Sequence, residues 1–541
     1  MGQHNNLHVH RWIAVAIFTL AILTSCTTPQ QQLTDTADTV FLNGKVLTVD
    51  QSFSIAEAVA VKGERIIAVG SNDAVRAKAG ASTRVIDLNG KTVIPGLIDN
   101  HMHFIRAVQR WNLQARIDGI NKRSEALAAI AAKAASLPAG DWLMVQGGWS
   151  AGQFADQPGG FTLEELDAAS PNNPMFLQIL YNSVYANSLA LEAVGFSTDK
   201  GAKYDGPPLV DAEPPYGLLN EQMPEVSEAQ KEQNLLDFIA TLNRAGLTSV
   251  YDVGRPPEGD ISLLERMSVD GPLPLRVWHT LKYQAYDPAG ADAAIELIKS
   301  TKANTTDDYL GMLGLGEHVY LPMFDLPTMK EPFSDTVVND FMRIATAAAE
   351  EGYHMHEHTM LDMTVQGILP PLRELNERIP LAPLRWTLAH AWTVEEDSIV
   401  QAKELGLNIA IHSVSMHTPT FLQPDLRSIQ DSGIVWGLGT DGTIVAHYQP
   451  FITLGWAVTG KSINGKTLIE DPVTREEALI AHTRSNAYLM FKEDDLGTLE
   501  VGKLADLVVL DKDYLSVPAD EIFYIQPQLT MVGGRIVFEE L

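Results

Sequence analysis

Residues 93–103 read Val-Ile-Pro-Gly-Leu-Ile-Asp-Asn-His-Met-His, a short β-branched, apolar run that ends in two histidines. On a strand, positions i and i+2 face the same side, so His101 and His103 can both reach one ion. Seven more runs of this kind follow, at residues 248–254, 275–281, 313–321, 354–359, 385–391, 408–414 and 434–441. Helical patterns separate most of them, among them Asp335–Gly352, Val394–Gly406 and Thr474–Phe491. Strands alternating with helices are the sign of a parallel βα array, and eight of them are what a (β/α)8 TIM-like barrel requires. The expected fold class is therefore α/β, with the barrel over residues 96–494.

Roughly 140 residues separate the first two runs, far more than a loop needs. Residues 105–235 are expected to form a subdomain inserted after the first strand, and its Gly147-Gly148-Trp149-Ser150, Tyr181 and Tyr185 could roof a site at the barrel mouth. The flanks of the barrel resemble each other. Val40–Val49 is two β-runs around Asn43-Gly44, and Thr530–Phe538 is two around Gly533-Gly534, both read as hairpins. Residues 38–95 and 495–541 are expected to assemble one small composite β-sandwich domain from both termini.

The 541 residues are 45% hydrophobic and 20% charged, which is a globular composition. With 39 Lys and Arg against 68 Asp and Glu, the net charge of −29 argues against nucleic acid or an anionic membrane surface held by charge. Cys26 is the only cysteine, so neither an internal disulfide nor a cysteine-based zinc site can form, and any metal must be held by His, Asp, Glu or Lys. The 12 apolar residues Trp12–Leu23 behind Arg11 are too short to span a bilayer as a helix and suit a secretory signal. Leu23-Thr24-Ser25-Cys26 follows at once and resembles the lipobox of bacterial lipoproteins. The expectation is a signal peptide over 1–25, a lipidated Cys26 and a tether over 26–37. With Thr at position 27, the resemblance implies a lipid-anchored protein of the cell envelope, on the outer membrane and facing the periplasm. The membrane would be a partner only through the anchor.

Twelve of the 15 histidines lie beyond residue 25, and they gather at the ends of the runs. His101 and His103 end the first. His354, His356 and His358 share a face of the fifth, with His358 nearest the end where barrel sites lie. His390 ends the sixth, Asp441 ends the eighth, and Glu317 lies in the fourth. His279, His412 and His482 read as core histidines, while His318 and His356 could belong to either the core or the surroundings of a site. Asp441 alone could be a helix cap. Core packing does not account for five such residues converging on one barrel mouth from different strands. Neutral imidazoles with one or two carboxylates suit a divalent ion of the zinc type, with an open position left for water. Such an ion activates its water and polarises a carbonyl, and a carboxylate beside it can move the proton; Asp441 is the candidate.

With these motifs the chain resembles the amidohydrolase superfamily, and within it the YtcJ-like branch (amidohydrolase family 3). The matching segments are residues 93–103, Ser188–Leu191, Leu247–Asp252, His390-Ala391, Gly439–Asp441 and Gly502–Leu510, and the resemblance covers essentially all of residues 38–541. The resemblance implies that His101, His103, His358 and His390 are metal ligands and that Asp441 is both ligand and acid/base. Many relatives carry a carbamylated lysine on the fourth strand that bridges two metals; here that strand has Glu317 and no lysine. Glu317 can present the same bidentate carboxylate, which leaves a site of one or two Zn2+ ions, with Glu317 either the bridge or outside the coordination sphere. Where many relatives have a histidine in the inserted region, this chain has Tyr181-Asn182-Ser183.

The function expected is hydrolysis of a C–N bond of amide, N-formyl or N-acyl type in a small-molecule substrate, through a metal-activated water. The oxyanion would be held by the metal and a neighbouring histidine, for which His390 stands. The alternatives are a metal-dependent esterase or lactonase and a non-catalytic ligand-binding lipoprotein. Trp149, Tyr185 and Tyr320, with Tyr448, are candidate substrate contacts by position and aromatic character, and a homodimer is compatible with the family.

Overall fold

The run at residues 93–103 is two strands, Thr92–Pro95 and Leu97–Met102, parted at Gly96. A Cβ at Gly96 would lie 2.2 Å from Thr248 Oγ1, so glycine is what lets the first strand approach the second. The computed structural model describes residues 36–180, 183–205, 216–254, 261–302, 305–417 and 422–541. The expected signal segment 1–25, the tether up to residue 35, Cys26, Tyr181 and Asn182 lie outside the described residues. Among the described residues, no helix is long and apolar enough to cross a membrane.

Eight parallel strands carry the centre of the molecule. In chain order they are Leu97–Met102, Leu247–Asp252, Arg276–His279, a fourth in two pieces (Leu310–Met312 and Leu315–Glu317), Met355–Thr359, Thr387–His390, Asn408–His412 and Trp436–Gly439. The first three pair in sequence with the front half of the fourth, and the back half of the fourth pairs in sequence with the last four, all in parallel. Gly314, at φ +78°, breaks the fourth strand. Across that break Leu313 N–H donates to the His279 carbonyl at 2.8 Å and Leu315 N–H to the His354 carbonyl at 2.9 Å. At the other edge His103 N–H donates to the Gly442 carbonyl at 2.7 Å and Asp441 N–H to the His101 carbonyl at 2.9 Å. Helices between the strands bury their apolar faces on the sheets. Asp335–Glu350 is one, begun by Ser334, whose hydroxyl accepts from Val337 N–H, and it buries Phe341, Ile344, Ala345 and Ala348.

Two further sheets stand beside the parallel array. A six-stranded sheet runs in the order 535–539, 527–532, 507–510, 92–95, 45–47, 55–56, so strands from the two ends of the chain are neighbours. A four-stranded sheet runs 65–70, 58–62, 39–42, 84–87. Phe41, Val59 and Val61 of the smaller sheet and Val93, Leu507 and Val509 of the larger share one apolar core. The Gly533-Gly534 turn joins an antiparallel pair with Val532 opposite Arg535, as expected. The Asn43-Gly44 turn does not make a hairpin: Thr39–Leu42 and Lys45–Leu47 belong to different sheets. The difference is conformational. Both Gly533 and Gly534 have positive φ, the requirement of a two-residue type I′ hairpin, whereas at the front turn only Asn43 does. The larger sheet is tied to the parallel array by a buried bidentate ion pair, Arg276 to Asp506 at 2.9 and 2.8 Å, and Gly533 N–H also donates to Asp506 at 2.8 Å.

The segment after the first strand has its own four-stranded sheet, in the order 203–205, 183–186, 175–179, 143–146, with helices Arg123–Ala135, Leu163–Ala169 and Ser188–Ala193. Its expected limit at residue 235 falls inside the helix Glu228–Arg244. That helix buries Leu235, Phe238, Ile239 and Leu242 in the core shared with the parallel strands.

Candidate metal centre

Strand period and strand ends bring six side chains to one place. His101 is on the first strand and His103 directly after it; Glu317, His358 and His390 lie on the fourth, fifth and sixth; Asp441 follows the eighth. All six are buried. His390 and Asp441 are both held in the left-handed region, at φ 75° and 62°, where non-glycine residues are uncommon. Such strain persists only where the surroundings impose it, and it collects at functional sites. Around Asp441 the surroundings are clear: its N–H is bound by the His101 carbonyl, and the Thr440 hydroxyl before it donates to Asp99 Oδ2 at 2.6 Å.

Glu317 is the hub. Its Oε1 lies 2.8 Å from His358 Nδ1 and 3.0 Å from His390 Nε2, while its Oε2 lies 3.5 Å from His101 Nε2 and 3.6 Å from His103 Nε2. Asp441 Oδ1 is 3.3 Å from His103 Nε2 and 3.7 Å from His101 Nε2. Burial pushes the Glu317 carboxyl up, but His318, His101 and His358 outweigh it and hold it well below the usual carboxylate range. For His358, burial works against the charged form, but Asp325 and Glu317 raise it to about 10.

The donor set fits a metal. His101 Nε2 is buried and has no hydrogen-bond partner, an arrangement a polar atom avoids unless something else is to fill it. Its separations from Glu317 and Asp441, 3.5 and 3.7 Å, are long for hydrogen bonds. They are near the edge of a tetrahedron of ligands about 2.0–2.1 Å from a zinc ion, roughly 3.4 Å. Four overlapping groups of possible ligands meet there: His101–His103–Asp441, His101–Glu317–His390, Glu317–His318–His358 and His101–His356–His412.

The outer contacts were less visible in the sequence. His358 Nε2 lies 3.0 Å from the Asp325 carbonyl and 3.1 Å from Asp325 Oδ1, and nothing in the sequence marks Asp325. His356 and His318 both touch the centre: His356 Nε2 is 2.9 Å from His101 Nδ1, and His318 Nε2 is 3.4 Å from Glu317 Oε1. His412, expected in the core, is 2.9 Å from His390 through its Nδ1. His279 and His354 turn instead to backbone carbonyls, of Thr280 and Leu384. His482 is buried with neither ring nitrogen bonded.

The aromatic candidates are engaged in packing. Trp149 and Tyr185 sit in the apolar core of the inserted segment against Phe161, and the Trp149 indole N–H donates to the Gln178 carbonyl at 2.9 Å. Tyr320 is buried in the main core with its hydroxyl 3.3 Å from Asp340. These rings are occupied by packing, which a strand-end or loop position in sequence cannot distinguish from lining a pocket. Tyr448 lies edge-on to Trp111, with the Arg116 guanidinium over both. The Gly147-Gly148 turn does meet the loop after Asp441. Gly148 N–H donates to the Ile444 carbonyl at 2.9 Å, and a Cβ on Gly147 would lie 1.7 Å from that oxygen. Arg116 of the same segment donates to the Thr443 carbonyl at 3.2 Å.

A model described as "Amidohydrolase family" matches residues 84–538. YtcJ of Bacillus subtilis (strain 168) is 25% identical over 559 residues, covering 93% of this chain and 99% of its own. An N-substituted formamide deformylase of Arthrobacter pascens is 25% identical over 560 residues, covering 94% and 99%. An uncharacterized metal-dependent hydrolase from Pyrococcus furiosus is similar in fold, with a TM-score of 0.60 at 19% identity, over 88% of this chain and 100% of that one.

Proposed function

The chain belongs to the amidohydrolase family, as a metal-dependent amidohydrolase, and from that premise we propose that it cleaves the C–N bond of a small N-formyl or N-acyl amide. The observation that carries the proposal is the reach of Glu317, one oxygen toward His101 and His103 and the other toward His358 and His390. In this reading His101, His103 and Asp441 would hold one ion and His358 and His390 a second, and Glu317 would offer its two oxygens in the place of the carbamylated lysine of relatives. Zn2+ is the ion that suits imidazoles with two carboxylates. When bound, such an ion lowers the pKa of a water toward about 7 and polarises a carbonyl.

The chain's own residues supply the rest. Asp441 takes a proton from the attacking water and returns it to the departing amine nitrogen. His390 faces the same gap as a ligand, with its other ring nitrogen turned to His412, so the oxygen of the tetrahedral species would be stabilised by the charge of the ion it helps to hold. Burial of all six side chains excludes bulk water, which strengthens each of these interactions. The similarity to a formamide deformylase supports the N-formyl class in particular. The test is amine release from a panel of N-substituted formamides and N-acyl amines set against esters and lactones. Turnover of the amides, abolished by a chelator and restored by Zn2+, is the expected result. Turnover confined to esters and lactones, or unaffected by chelation, would overturn it.

The strand pairing supports reading the eight parallel strands as one closed (β/α)8 barrel spanning residues 96–494, with residues 38–95 and 495–541 as its companion β domain; an experimental structure with an open seam beside residues 97–102 would refute this. The sequence before residue 38 supports an envelope location, with the chain lipid-anchored at Cys26 and facing the periplasm. On that reading the Cys26→Ala chain leaves the membrane fraction of cells for the soluble one, and its retention in the membrane fraction would refute the anchor.

A further inference from the structure

Beneath the ligands lies a second layer of imidazoles. His101 Nδ1 is 2.9 Å from His356 Nε2, and His390 Nδ1 is 2.9 Å from His412 Nδ1. His356 sits two residues before His358 on the fifth strand, on the same face, and His412 ends the seventh; they are 2% and 0% exposed. Two ring nitrogens at this distance need one N–H and one lone pair between them. The Nε2 atoms of His101 and His390 are the ones turned to the carboxylates, so as ligands they must be bare. Each of these rings then carries its proton on Nδ1 and donates it downward. His356 accepts on Nε2. His412 accepts on Nδ1, which puts its own proton on Nε2, and that nitrogen is buried with no hydrogen-bond partner.

Core packing alone gives no reason for a buried, unsatisfied N–H at the end of a strand, whereas the demand for an acceptor under His390 does. We propose that His356 and His412 are positioning residues that fix the tautomer and ring orientation of His101 and His390 as metal ligands. They stand where a metal-bound histidine ordinarily has a carboxylate, a backbone carbonyl or a water. His358 keeps the ordinary kind of partner in Asp325. A neutral imidazole draws the ligand's proton less strongly than a carboxylate would, so His101 and His390 stay closer to neutral imidazoles and leave an ion more electron-poor.

The inference rests on the metal-centre reading above, and its test separates the two. Zn2+ affinity is measured by competition with a chromophoric chelator, alongside the visible spectrum of the Co2+ form, for the wild type, His412→Leu and His412→Asn. His412→Leu strips the acceptor and is expected to bind about 10–100-fold more weakly with an altered Co2+ band. His412→Asn offers a side-chain oxygen at similar reach and is expected to recover to within about threefold of the wild type. A folded His412→Leu chain that binds as tightly as the wild type overturns the proposal, as does an Asn variant as weak as the Leu one. If His412→Leu fails to fold, His356→Leu and His356→Gln make the same comparison under His101. A wild type that binds no ion strikes down the metal centre itself.

Discussion

Exchanging Asp441 for asparagine is expected to lower kcat by about 10²–10⁴-fold with little change in KM, because it removes the proton acceptor and leaves the geometry. Asparagine has the same shape and tolerates the left-handed backbone at φ 62° that this position requires. The backbone bond from residue 441 to the His101 carbonyl does not involve the side chain and is kept. The substituted amide still offers an oxygen toward His101 and His103, where Oδ1 now lies 3.7 and 3.3 Å away, so an ion can be retained when Zn2+ is supplied in excess. What an amide cannot do is accept the proton of an attacking water at neutral pH. Steady-state kinetics with metal per chain measured on the same sample is the check. A kcat within about threefold of the wild type at full metal loading would take proton transfer away from Asp441.

Why the strands could be read from sequence while their grouping could not is a matter of what each signal encodes. The eight parallel strands announce themselves because both of their faces are covered, which makes them short runs rich in β-branched and aliphatic residues, such as Leu247–Asp252 and Asn408–His412, buried at every position. The run at residues 93–103 shows the limit of that signal. Apolar character continues through Gly96, but the chain passes there from one sheet to another, and only the contact with Thr248 reveals why a glycine stands at the crossing. Asn43-Gly44 carries the composition of a hairpin turn without the two positive φ angles, and composition alone does not report φ.

The candidate site divides in the same way. The side chains that face the gap lie at strand ends, and period two places His101 with His103 and His356 with His358 before any coordinates are known. Glu317 was legible as the one carboxylate on the fourth strand, but its role as hub depends on distances from three other strands. His412 and Asp325 were not legible at all. A single histidine in an apolar strand has the same local pattern whether it packs or supports a ligand, and Asp325 reaches His358 from a loop across 33 positions of sequence. Aromatic residues are ambiguous for the opposite reason. Trp149 and Tyr185 have the polar handles of binding residues, yet those of the tryptophan are met inside the inserted segment, where a large ring contributes most by being buried.

Replacement of Glu317 by alanine is expected to reduce the metal content from two ions per chain to one or none, and hydrolysis with it. The argument is electrostatic as well as geometric. Two divalent ions bring four positive charges into a buried site where the four histidines are neutral as ligands, leaving Glu317 and Asp441 as the only carboxylates among the six side chains. At an effective dielectric of about 20 and about 4 Å, each unit-charge pair is worth roughly 4 kcal/mol, or about 10³-fold in affinity. Glu317 stands between both histidine pairs, so the loss falls on both positions, while His101, His103 and Asp441 still offer three donors to one of them. Mass spectrometry of the intact metal complement, on the wild type and Glu317→Ala loaded side by side, reads this out directly. Glu317→Gln is the finer probe, because it fills the same volume and keeps one oxygen but cannot present two. A bridge predicts that glutamine behaves like alanine in losing an ion. A single ion in the wild type, unchanged in both variants, would place Glu317 outside the coordination sphere and make the centre mononuclear, held by His101, His103 and Asp441.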